Sequence, residues 1–154
     1  MNRIEKVREY VDNILLNMSD VRERRSGYLH LYGVSQACTM IALKRGENAE
    51  LATISGMLHD IYSYATMDTV EHAHKGSVMA REILNSLDMF SDGEIEMICS
   101  AIHNHSYKGK IHASFDEILI DADVLQHCLY NPLFEVEEHE KLRFENLKSE
   151  FGLS

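Results

Sequence analysis

A chain of 154 residues can bury a sizeable core but is too short for two ordinary domains, so it reads as a single domain over 1–154. Hydrophobic residues make up 45% and charged residues 26%, with a single proline, a globular composition without low-complexity linkers. A formal net charge of −10 argues against a broad contact with nucleic-acid phosphates, and no apolar run approaches a membrane span. The charged opening MNRIEKVREY lacks the apolar block of a signal peptide, so a cytoplasmic protein is expected.

Ile4, Val7, Val11, Ile14, Leu15 and Met18 recur at spacings of three and four and predict an amphipathic first helix over 2–18. Residues 20–26 read as a charged connector carrying Arg22, Arg24 and Arg25, and their simplest role is solvated surface charge. A second helix is predicted from about Gly27 to Lys44, stopped by Gly46 as a left-handed cap. Helical steps from His30 reach Val34, Ala37 or Cys38, and Ile41, which puts His30 on the buried stripe.

The third predicted helix, 49–60, buries Leu51, Ile54, Met57 and Leu58 and delivers His59 and Asp60 side by side at its C-terminal end. An imidazole and a carboxylate are costly to bury together unless a partner such as a divalent cation compensates them. After a loop over 62–70, the next helix carries His72 and His74. His74 shares a face with Val78, while His72 projects about 200° away and is expected in solvent.

SDGE at 91–94 reads as a helix start with Ser91 or Asp92 as N-cap. Ile95, Ile98, Ile102 and His105 then form one stripe, which favours His105 over His103 as the inward histidine, although the turn that follows can bring either one in. Ser114 and Glu117 read as a capping box opening a helix that ends at Asn131-Pro132. Asp121 and Asp123 lie two apart on it and are not expected to face inward together. A last helix is predicted over 135–151, giving an all-α domain of about seven helices. Cys38, Cys99 and Cys128 have neither zinc-finger spacing nor an even count, and are expected as reduced, mostly buried thiols.

Taken together, HLYGVSQACTMIALKRG from His30, MLHDI at 57–61, HKGSVMAREIL from His74, AIHNHS at 101–106 and ILIDADVL at 118–125 give the order H, HD, H, H, D. In this order the chain resembles the HD-domain metal-dependent phosphohydrolase superfamily over about residues 25–130. The resemblance picks Asp123 over Asp121. It implies one metal held by His30, His59, Asp60 and Asp123, with Asp60 bridging to a second held by His74 and His105. His59 and Asp60 would form the catalytic centre. Two ions of iron, manganese or zinc are implied, because imidazole and carboxylate donors suit all three.

The implied activity is hydrolysis of a phosphoester or phosphoanhydride in a small phosphorylated metabolite, a nucleotide or dinucleotide first, by metal-activated hydroxide. The ligand set is also similar to that of HD-type di-iron oxygenases, and a non-catalytic metal-binding signalling module is a third reading. Of the basic residues beside the ligand segments (Arg22, Arg24, Arg25, Lys75, Lys108 and Lys110), Lys75 and then Arg25 are the first candidates for a phosphate contact.

Overall fold

In the computed structural model, which describes residues 2–154, eight helices and no strand are found among the described residues. The chain runs α1 (Arg3–Leu16), α2 (Val21–Arg45), α3 (Ala49–Leu58), α4 (Ile61–Thr66), α5 (His72–Leu87), α6 (Asp92–Asn104), α7 (Ser114–Tyr130) and α8 (Lys141–Phe151). None of them is long and apolar enough to cross a membrane. The all-α expectation is met, and the added element is α4, a short helix within the stretch expected to be a loop.

Every residue from Leu51 to Leu58 is buried, so α3 is wrapped on all sides, with α1, α2, α6 and α7 packed against it. Gly56 explains how close that packing is. A Cβ there would stand 2.6 Å from the Ser35 Cα and 2.8 Å from the Ser35 nitrogen, so α2 and α3 cross backbone to backbone. α7 is also central, and it buries both Asp121 and Asp123. The expectation that only one of these could point inward fails because α7 has no wet face at this depth. Asp121 turns to Arg45 and Arg143, and Asp123 turns to the histidines.

Helix boundaries differ from the sequence reading at three places. α2 begins at Val21 because the Asp20 side chain accepts from the backbone nitrogens of Arg22 and Glu23, so the arginine cluster is helical rather than a connector. The predicted capping box at Ser114 is absent. Ala113 caps α7 without a side-chain bond, and Glu117 instead accepts from the His112 backbone N–H at 2.7 Å and pairs with Arg143. The capping box forms at Ser91 and Glu94. The last helix starts at Lys141, leaving residues 131–140 largely irregular.

Ion pairs tie the outer helices to this core. Arg3 bridges Glu50 and Glu94, and Arg45 and Arg143 hold α8 through Glu150, Asp121 and Glu117. Arg143 also donates to the carbonyls of Lys108 at 2.9 Å and Lys110 at 2.8 Å, fastening the segment between α6 and α7. All three cysteines are free and buried.

Candidate metal centre

The helical start at Val21 sets one wall. Arg22, Ser26, Leu29 and His30 fall at i, i+4, i+7 and i+8, so they share a face, and that face turns inward at His30. The other wall is the abrupt end of α3. His59 is its C-cap and is 0% exposed, and at Asp60 the backbone leaves the helix (φ −112°, ψ 13°) before α4 begins.

Each imidazole is oriented by one of its nitrogens. His59 Nδ1 donates to the Gly56 carbonyl at 2.8 Å and His105 Nδ1 to the Ile102 carbonyl at 2.6 Å. His30 Nδ1 donates to Gln126 Oε1 at 2.8 Å and His72 Nδ1 to the Thr69 carbonyl at 3.2 Å. In this tautomer all four Nε2 atoms carry lone pairs and point toward the carboxylates. The Nε2 atoms of His30 and His59 lie 3.0 Å apart. Two lone pairs facing each other at that distance repel unless a cation or a proton lies between them.

Asp60 divides its oxygens between two groups of histidines. Oδ2 lies 3.2 Å from His30 Nε2 and 3.4 Å from His59 Nε2, while Oδ1 lies 3.2 Å from His105 Nε2 and 3.6 Å from His72 Nε2. Asp123 Oδ1 approaches His30 at 3.4 Å, His59 at 3.7 Å and His127 at 3.3 Å. Asp60 Oδ1 and Asp123 Oδ1 are buried without a hydrogen-bond partner. Such orphaned oxygens are expensive unless something charged completes them, so the donor set fits a divalent cation. His30, His59 and Asp60 form one group able to hold an ion, and Asp60, His72 and His105 form another.

The electrostatics agree with that fit. Burial alone would push the His59 imidazolium down, but Asp60 and Asp123 outweigh it and raise the group to about 10. Burial would likewise raise Asp60, yet His59, His105 and His30 hold it well below the usual carboxylate range. Positive charge is therefore favoured at the centre of the cluster, as a proton or as a metal ion.

Most of the residues expected from the sequence converge: His30, His59, Asp60, His105 and Asp123. His74 does not join them, and its place is taken by His72. The apolar phase read through His74 and Val78 is misleading, because Val78 is 49% exposed. Over its first half the buried face of α5 is carried by small residues, Ala73, Gly76 and Ala80, before Ile83 and Leu84 continue it, and His72 stands one turn before Gly76. A Cβ on Gly76 would come within 3.1 Å of the His59 carbonyl, so α5 crosses the end of α3 with His72 on the near side. His74 instead meets the exposed His103 ring edge-to-face, with centroids 5.6 Å apart.

Lys75 is also displaced from its expected role. Its ammonium lies 2.9 Å from Asp68 and over the Tyr62 ring, outside the cleft that reaches the cluster. Arg25 does line that cleft, a space of about 440 Å³ with Arg22, Tyr64, His127 and Tyr130 on its walls and His30 and Asp60 at its floor. Sequence reasoning missed Gln126 and His127. Their one sequence clue is that they follow Asp123 by three and four residues and so share its helix face.

The HD domain family model matches residues 27–128 of the chain. Among solved structures, a predicted HD superfamily hydrolase from an uncultured Thermotogales bacterium is similar in fold, with a TM-score of 0.58 and 22% identity. That similarity covers 97% of this chain and 86% of the other. Among curated proteins no sequence matches.

Proposed function

We propose that this chain, which belongs to the HD-domain family, is a metal-dependent phosphohydrolase using a two-ion centre on a small phosphorylated metabolite. The observation that carries the proposal is the division of the Asp60 carboxylate, with Oδ2 toward His30 and His59 and Oδ1 toward His72 and His105. Divalent ions bound there would supply Lewis acidity and a nucleophilic water at neutral pH. His30, His59, Asp60 and Asp123 would hold the first, and Asp60, His72 and His105 the second.

The chain's own contribution is binding and orientation. Arg22 and Arg25, one turn apart on α2, present guanidinium groups at the mouth of the cleft, where they can hold the charged oxygens of a phosphate group against the cluster. The ammonium groups of Lys75 and Lys108 are already paired, so the arginines are the cations placed for substrate. Beside the cleft lies a groove of about 610 Å³, which shares Tyr64 as a wall and is lined by Tyr10, Asn13 and Asn17 with no basic residue. An uncharged group with hydrogen-bonding edges suits it, and a nucleotide supplies both halves.

The test is a panel of nucleotides, simple phosphate esters and phosphonates given to the Mn²⁺-, Fe²⁺- or Zn²⁺-loaded protein, with phosphate release and O₂ uptake both measured. Phosphate release without O₂ uptake is expected, with the nucleotides turned over best. Substrate-dependent O₂ consumption with no phosphate liberated would replace the proposal with an oxygenase. Arg25→Ala should raise KM for the preferred substrate about tenfold, the loss of one charge-assisted hydrogen bond, with a smaller change in kcat.

A further inference from the structure

We infer that Glu140, which lies beyond the matched family region, sets the charge of the metal centre by neutralising Lys108, so that Asp123 keeps its negative charge for a cation. The inference rests on the reading of Asp123 as a ligand.

Lys108 comes from the segment between α6 and α7, and its ammonium lies 2.6 Å from Asp123 Oδ2 and 3.0 Å from Glu140 Oε1. The three side chains are nearly sealed from solvent, at 11%, 5% and 3% exposure. The Lys108 contact fixes which oxygen of Asp123 is spent. Oδ2 is held by Lys108, and Oδ1 is left without a hydrogen bond, facing His30 and His59. An ammonium this close to a ligand carboxylate also opposes any cation at that carboxylate, and burial lets the repulsion act with little screening.

Glu140 answers that charge from the other side. It is 2% exposed and sits just before α8. The same oxygen that meets Lys108 accepts from His127 Nδ1 at 2.9 Å, which aims His127 Nε2 at Asp123 Oδ1. The C-terminal segment is thus electrostatically part of the centre. Lys108 occupies Asp123 Oδ2, and Glu140 is a positioning residue that removes the cost of having Lys108 there.

A simple buried staple would also explain a loss of stability on mutation, so the test reads charge. Mn²⁺ affinity is measured by calorimetry on the full-length wild type, Glu140→Gln, Lys108→Met and the double variant, with helical content followed by circular dichroism. Glu140→Gln, which leaves the ammonium uncompensated, should weaken Mn²⁺ binding about 10- to 100-fold. In the Lys108→Met background the same change should cost little, so the double variant recovers toward wild type. Lys108→Met alone should bind no more weakly than wild type, and that arm decides the matter if Glu140→Gln does not fold. Unchanged affinity in Glu140→Gln, or equal losses in both backgrounds, would overturn the inference. Wild-type protein that binds no divalent cation would instead remove the metal centre on which it rests.

Discussion

Asp60→Ala should abolish phosphate release, by about 10³-fold or more, while the helical fold survives. The expectation follows from how this carboxylate is used. Among the described residues its two oxygens are the only acidic atoms that reach both histidine groups, within 3.2–3.6 Å of His30, His59, His72 and His105. Without it the four imidazoles keep the orientations set by the Gln126 side chain for His30 and by backbone carbonyls for His59, His72 and His105, but have no shared anion, and the remaining carboxylate, Asp123, faces only the His30 side. Ground-state binding and transition-state charge stabilisation are lost together, and several kcal/mol of the latter corresponds to about 10³ in rate. The Asp60 side chain makes no helix-capping bond, so circular dichroism should be unchanged. Asp68→Ala, which removes the partner of Lys75, of the Tyr62 hydroxyl and of the Val70 backbone N–H but no member of the histidine cluster, should leave turnover near wild type.

Gly56→Ala should be the most damaging single-methyl change in the protein. The added carbon would meet Ser35 backbone at 2.6 and 2.8 Å, distances that no rotamer change can relieve. Either α2 and α3 separate or the crossing rotates, and both moves disturb buried packing across the core. Overpacking of this kind costs about 3 kcal/mol, which for a chain this size lowers Tm by roughly 6–12 °C. Because the Gly56 carbonyl also fixes the His59 ring, metal affinity should fall with stability. A Tm within 2 °C of wild type (less than about 1 kcal/mol) would mean that the helices are not in backbone contact.

The parts of this protein that were legible in the sequence are those written as local patterns. The apolar run ending in His59 and Asp60, the helical stripe behind His30 and the stripe that selects His105 each lie within one element, where a 3.6-residue period decides facing. The same rule failed at His72 because it weighs large apolar residues. Beside His72, α5 is buried through Ala73, Gly76 and Ala80, with the large residues Ile83 and Leu84 only at its far end, and small residues mark a close helix crossing more quietly than Val78 marks a face. It failed again at Asp121 and Asp123, since facing has no meaning for a helix such as α7 that is buried around its circumference.

Other features were beyond any local reading. Lys108, Asp123 and Glu140 come from three separate segments and meet only in the folded chain. Lys75 looked available because it follows a histidine, yet Asp68 already occupies its charge. The arginines of α2 gained their role from a helix capped by Asp20, about two turns before the sequence pattern placed its start.

We propose that Asp60 bridges two ions and that His72, not His74, holds the second of them. The direct measurement is the metal-to-protein ratio of wild type, His72→Ala and His74→Ala after loading with Mn²⁺ and removal of free ion. A stoichiometry of two is expected for the wild type and His74→Ala and of one for His72→Ala. Loss of an ion from His74→Ala with none lost from His72→Ala, or a single ion in all three proteins, would contradict it.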